Sequence, residues 1–343
     1  MKHKTIFYSL SCAGLIALIV LFLIYRNLLG INIIEGKPNQ VIYIPTGSSY
    51  EQVMDTIGSK LVIKNRKFFD WLAKKKNYPS LIKPGRYVID KNMSYNGLIN
   101  QLRSGRQSTI RITFSNLRTI NQIAGKICKQ IEADSVQIID FLSDVSNFEA
   151  DGFKRENVIS IFVPNTYDFY WNTNARGLYL RMLKEYRSFW TSQRLSKAKE
   201  IGLDQKEVTT LASIIDAEAS KPEEKPRIAG VYLNRLKRGI PLQADPTIQF
   251  ALNDISVTRV LKKYLLVDSP YNTYKFTGLP PGPIGCPTID GIDAVLNAEK
   301  HDYLFFAARA DFSGFHNFSR TLSEHNHYAL LYQKELNRRK IFK

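Results

Sequence analysis

KEVTTLASIIDAEASKPEEKPRIAGVYLNRLKRGIPLQADPTIQF, residues 206–250, decides how this chain is read. From Lys206 to Ala219 there is no Gly or Pro, and Val208, Leu211, Ala212, Ile215 and Ala219 recur at helical spacing. At roughly 100° per residue, Glu218 falls about 60° from the centre of that apolar stripe and Asp216 about 100° away on the other flank. Glu218 is thus the carboxylate expected to face inward. Ser220, Lys221 and Pro222 end the helix. The negative end of the helix dipole and partial burial both disfavour a charged carboxylate there. A raised pKa suits a general acid near neutral pH. The plainer alternative is a glutamate at the edge of an amphipathic face, reaching water or paired with a cation such as Arg227.

A second helix runs from Pro226 through Ile228, Val231, Tyr232 and Leu236 to Gly239 as its stop, with Asn234 and Arg235 in its last turns. The loop Leu242–Thr247 follows. Asp245 then Pro246 reads as an N-cap and first helical position, a structural role. Gln243 has no obvious structural role and is a candidate hydrogen-bond donor to a ligand.

Four further stretches complete a pattern: FVPNTYDFYWNT (162–173), LASIIDAEAS (211–220) within the opening block, SPYNTYKFTGLPPGPIGCP (269–287) and FHNFSRTLSEHN (315–326). With IAGVYLNRLKRGIPLQADPTI (228–248), their order and spacing resemble the endolytic murein transglycosylases, the YceG-like family, over roughly 140–343 and more weakly from about 40. The resemblance puts the family's catalytic glutamate on Glu218. It departs at Asp216, where the family has Glu, at Lys225, where Arg is frequent, and at Cys286 and Thr288, where Asn and Gly are common.

The resemblance implies cleavage of the β-1,4 bond between N-acetylmuramic acid and N-acetylglucosamine inside glycan strands, leaving 1,6-anhydro ends. One carboxylate then suffices. Ordinary glycosidases need an acid and a separate base or nucleophile. Here the muramic C6 hydroxyl attacks internally, Glu218 first protonating the leaving oxygen and then taking the hydroxyl proton, with proximity and water exclusion assisting. Asn234, Gln243, Tyr271 and Asn272 are the expected substrate-positioning residues. Two other readings stand beside this one. A muramidase-type hydrolase would pair Asp216 with Glu218, although residues two apart on a helix diverge. A non-catalytic wall-binding scaffold would not need Glu218 at all.

Location follows from the start of the chain. The 21 residues 5–25 carry no charge, Lys2 and Lys4 precede them and Arg26 follows. At about 1.5 Å per residue this run spans roughly 30 Å, a bilayer's hydrocarbon thickness. The basic start predicts an uncleaved single-pass anchor in the bacterial inner (cytoplasmic) membrane with the body extracytoplasmic. Cys12 fits a lipidation site poorly, since the apolar run mostly follows it. With two other cysteines, Cys128 and Cys286, no disulfide scaffold is expected. The net charge of +17 suits an anionic partner, peptidoglycan or lipid headgroups. It would equally suit nucleic acid, which the export anchor argues against. Work beside peptidoglycan synthases is implied by the resemblance alone.

The expected fold class is α+β: a single N-terminal transmembrane helix, a small LysM-like βααβ module and a larger α+β catalytic domain. The expected divisions are a cytoplasmic 1–4, an anchor 5–25, a link 26–40, the module 41–107 and the catalytic domain 108–343. In the module, Val41–Pro45 and Gly85–Ile89 read as strands, and Ser48–Ile57, Arg66–Lys75 and Ser94–Leu102 as helices. The module is either a glycan binder or a rigid spacer. Beyond it, Ser108–Phe114 reads as a strand, Leu117–Ile131 and Ala175–Gln193 as helices, and Asp302–Arg309 as a buried strand. Phe162–Trp171 reads as an aromatic loop that either floors a sugar cleft or is core. Gly278–Pro283 is a proline-stiffened turn. His325 and His327 lie two apart on a helix with no ligand set around them, so no metal and no cofactor is expected. His316 and Asn317 are expected to orient the cleft or close a hydrogen-bond network.

Overall fold

The computed structural model describes residues 13–25, 39–90, 93–115, 117–254, 260–339 and 341 of the 343. It is a mixed α+β structure, mostly helical, with three two-stranded sheets among the described residues. Residues 13–25 are helical (α1), with exposed side chains such as Leu18 and Phe22. Among the described residues no helix is long and apolar enough to cross a membrane. Residues 5–12 of the expected anchor, the expected 1–4 segment and 26–38 of the expected link lie outside the described residues.

The chain divides into two compact units. The first takes the described residues up to Arg111, with two returns, Gln130–Ala133 and Asp168–Thr173. Its elements are β1 (Gln40–Ile44), α2 (Tyr50–Lys60), α3 (Arg66–Lys75), β2 (Gly85–Ile89) and α4 (Tyr95–Ser104). β1 and β2 are antiparallel, with Ile42 opposite Tyr87. Alternation along β2 buries Gly85, Tyr87 and Ile89, which meet Ile57, Phe69 and Leu98 from the helices in one core. Ser49, not Ser48, caps α2, in a reciprocal box with Gln52. The Ser48 hydroxyl instead donates to the Pro45 carbonyl in the preceding turn, at 2.8 Å. Gly105 ends α4 with φ +73°, a backbone that glycine adopts without strain. The returns are stitched by Thr46, whose N–H and hydroxyl both donate to Glu132 at 2.6 Å, and by Tyr43 packing on Trp171.

β3 (Thr109–Thr113) and β4 (Thr166–Tyr170) each have residues in both units, and the second unit holds α5 (Ile120–Ile127), α6 (Ser135–Ser143), α7 (Ala175–Phe189), α8 (Ser192–Glu200) and α9 (Gln205–Glu218). It continues with α10 (Lys225–Lys237), α11 (Asp245–Ala251), α12 (Ile289–Leu296), β5 (Phe305–Ala308), β6 (His316–Ser319) and α13 (Leu322–Arg338). α9 is its axis. Eight consecutive residues, Val208–Ile215, are buried, and α10, α11 and α12 pack around them.

Several expectations are corrected here. The aromatic segment 162–171 contains β4 rather than a loop. Pro164 and Asn165 lie before the strand, and alternation buries Tyr167 and Phe169. Phe162, Tyr167 and Phe169 are core residues, at most 7% exposed. The single helix expected over 175–193 breaks at Trp190, because Thr191 caps a new helix by accepting from the Arg194 N–H. α5 starts three residues later than expected, since Thr119 is its N-cap. β5 is half-buried and short; with β6 it forms a hairpin under α13.

Candidate active site

Glu218 is the last residue of α9. One helical turn of α10 brings Tyr232, 1% exposed, against it, and the phenol donates to Glu218 Oε1 at 3.3 Å. Tyr232 is held edge-on by Phe306 of β5. Burial pushes the Glu218 carboxyl up to about 7, and the neighbouring Asp245 carboxylate adds to the rise. The Tyr232 hydroxyl and the Asp245 backbone N–H pull in the opposite direction. Among the described residues no ion pair to Glu218 is formed: Arg227 pairs instead with Glu299, at 2.9 Å.

Asp245 is not the N-cap of α11. Ala244 takes that position, and Asp245 lies in the first turn with no capping bond. Its carboxylate instead accepts from the Tyr274 hydroxyl at 2.5 Å. Burial and that carboxylate both raise the Tyr274 pKa, so the phenol is a committed donor. The result is a chain of acid groups, Tyr232 to Glu218 and Tyr274 to Asp245, at the junction of α9, α10 and α11.

Gln243 sits at the rim of this junction. It is exposed and has φ +53°, an uncommon conformation for a residue with a side chain. The strain is held by the Gln243 N–H bond to Thr273 O, at 2.9 Å, and by the buried Thr273–Thr247 hydroxyl contact. Arg235, 6% exposed, donates to Leu304 O, Pro241 O, Leu242 O and Gln243 Oε1. With its acceptor spent on Arg235, the Gln243 amide presents its NH2 outward.

The other expected contact residues are placed differently. Asn272 is fully buried. Its NH2 donates to Leu265 O and Val267 O, and its oxygen accepts from the Tyr274 and Lys275 N–H groups, so every polar atom is used within the protein. Asn234 donates to the carbonyls of His301 and Tyr303. The NH2 groups of both asparagines are thus engaged by loop carbonyls. Tyr271 packs on Phe250 with ring centres 4.6 Å apart. Burial pushes its phenol up to about 12.

Asp216 faces away from Glu218. One oxygen accepts from Lys225 Nζ at 2.7 Å and from the Thr288 hydroxyl at 3.1 Å; the other takes the Thr288 N–H. Thr288 in turn caps α12, and Gly291 lies so close that a side chain there would overlap the Asp216 carboxylate. The positions where the chain departs from the family pattern thus come together: Asp216, Lys225, Cys286 and Thr288 all line one cavity of about 460 Å³. The shorter acid is matched by the shorter cation. Cys286 is a free thiol pushed up to about 12 by burial, which makes it a poor nucleophile. Just before α10, the buried Glu224 meets His316 of β6 at 2.8 Å, and the His316 ring packs on Phe306, the neighbour of Tyr232. Among the described residues no group of three or more His, Cys, Asp or Glu is arranged to hold a metal ion.

Residues 42–330 match the model of the YceG-like family. The chain belongs to that family. A relative in Bacillus subtilis, named endolytic murein transglycosylase, is 32% identical over 308 residues, covering 85% of this chain and 84% of its own length. The protein of that name in Streptococcus pneumoniae is 30% identical over 304 residues, which cover 80% of this chain and 55% of the longer relative. The crystal structure of a YceG-like protein from Listeria monocytogenes aligns with a TM-score of 0.56 and 29% identity, over 85% of this chain and 99% of that one. Within the family pattern, the sequence marked Glu218 but not Tyr232, Tyr274 or Asp245 as its neighbours. Only the pairing of YNTY in 271–274 with the ADP of 244–246, both in quoted motifs, hinted that these loops meet.

Proposed function

We propose that this chain is an endolytic murein transglycosylase, cutting the muramic acid–glucosamine β-1,4 bond within glycan strands and leaving 1,6-anhydro ends. The observation that carries the reading is the Glu218 carboxyl: poised at about 7, touched by Tyr232, and without a cationic partner. A group with that pKa holds a proton for the leaving oxygen and, once ionised, accepts one from the muramic C6 hydroxyl. The Asp245 carboxylate, which accepts from the Tyr274 phenol, lies beside the position where positive charge develops at the anomeric carbon. Gln243 is the polar contact for the sugar, its strained backbone holding the amide outward. Tyr271 with Phe250 gives an aromatic face.

A hydrolytic second reading has one observation in its favour, the nearness of Asp245 to Glu218. Asp216 cannot serve it, because both its oxygens are engaged by Lys225 and Thr288. Mass spectrometry of the ends made from uncrosslinked strands separates the two. Anhydro ends support the transglycosylase; reducing ends overturn it.

The apolar run 5–25 supports an inner-membrane anchor with both units outside the cytoplasm. The β1–α2–α3–β2 arrangement supports a LysM-like module. Glycan affinity of that module and work beside peptidoglycan synthases complete the proposal.

A further inference from the structure

The proposed reaction leaves one feature unused, the cavity on the Asp216 flank of α9. It adjoins the acid by a single residue on two elements: Ala217 and Pro246 line it, and Glu218 and Asp245 are their chain neighbours. Its volume, about 460 Å³, is in the range of small-ligand sites. Phe250, Pro246 and Ile284 give apolar wall.

Two of the polar residues around it, Gln122 and Arg118, present donors. Asp216 is neutralised by Lys225 and its oxygens are filled. The Ser213 hydroxyl donates to Thr210 O and accepts from the Ile284 N–H. The Gln122 carbonyl accepts from the Arg118 N–H at 2.7 Å, so its amide offers NH2. Arg118 is exposed at the rim. Its stem lies over Gly285, where a Cβ would stand 3.3 Å from Arg118 Cγ, and the Cys286 N–H bond to Leu117 O fixes the two segments together. A guanidinium so placed, with no carboxylate within ion-pair distance among the described residues, fits a carboxylate.

We infer that this cavity receives the acidic peptide stem carried by the muramic acid residue whose bond lies at Glu218. Sugar and peptide both ask for donors and acceptors; what singles out the stem is its free carboxylates, which suit the Arg118 guanidinium at the rim. The inference rests on the transglycosylase reading.

Two measurements on the full chain in detergent test it. In the first, cleavage of strands bearing intact stems is compared with cleavage of strands stripped of peptide by an amidase. One lost charge-assisted contact corresponds to about ten-fold or more in kcat/KM. The wild type is expected to favour stem-bearing strands by about that factor, and Arg118→Glu to bring the ratio near one, through KM. Equal cleavage of both substrates by the wild type, or an unchanged ratio in the variant, overturns the stem site. In the second, binding of a free stem pentapeptide to Glu218→Gln is measured with and without Arg118→Glu. Binding that the second substitution abolishes supports the site even if no strand is cut, in which case only the transglycosylase reading falls. Cleavage with anhydro ends but no peptide binding leaves the reaction standing and sinks the stem site.

Discussion

At the residue scale, the chemistry of Glu218 is set by opposing neighbours, and each leaves a separate signature. The protonated carboxyl is the form that starts the reaction, so kcat/KM should fall as pH rises through about 7. Asp245 raises that pKa, so Asp245→Asn should move the fall to lower pH. Tyr232 lowers it, so Tyr232→Phe should move the fall to higher pH. Opposite displacements in two pH–rate profiles check both assignments; displacements in the same direction contradict them. The same carboxyl bears on stability. Its folded pKa of about 7 lies above the ordinary 4.5, so its contribution is fully present below about pH 4.5 and is lost as pH rises through 7. Glu218→Gln should therefore be more stable than the wild type by about 1–3 kcal/mol at pH 8, with no gain at pH 4. Urea unfolding at the two pH values measures this.

At the element scale, the junction of α9, α10 and α12 depends on one ion pair. The Asp216 and Lys225 side chains are only 15% and 10% exposed. Lys225→Ala leaves a buried carboxylate and should cost about 3 kcal/mol, whereas the double variant with Asp216→Ala should cost less than the sum of the two single changes. Asn272→Ala should lower stability by about 2 kcal/mol with little change in KM, since the amide is buried and its polar atoms are all used within the protein. Denaturation with parallel kinetics separates that role from sugar contact. These elements also show what the sequence could convey. Helical periodicity found α9 and α10, and Gly239 at φ +64° ended α10 where a stop was read. The period also placed Asp216 and Glu218 on different flanks. It could not assign Asn234 or Asp245, whose partners are far along the chain, nor Asn272, whose partners are backbone groups of its own irregular loop. Asp245 read as a cap from Asp-Pro alone, yet the phenol that claims it stands 29 residues on. β4 was missed because its polar start and preceding Pro164 read as a turn, while the strand's partner, β3, lies some fifty residues away.

At the scale of the whole molecule, an apolar N-terminal run precedes a strongly basic chain, +17 overall. A chain lacking residues 1–38 should leave the membrane fraction yet make the same products, which sedimentation followed by product analysis checks. The central claim is that Glu218 directs an internal attack instead of an attack by water. Cleavage of uncrosslinked strands in oxygen-18 water, with mass analysis of the new ends, tests it most directly. The account predicts muramic ends one water lighter than hydrolytic ends, with no heavy oxygen, and no cleavage by Glu218→Gln. Heavy oxygen at the new ends, or a Glu218→Gln variant that cuts like the wild type, would contradict it.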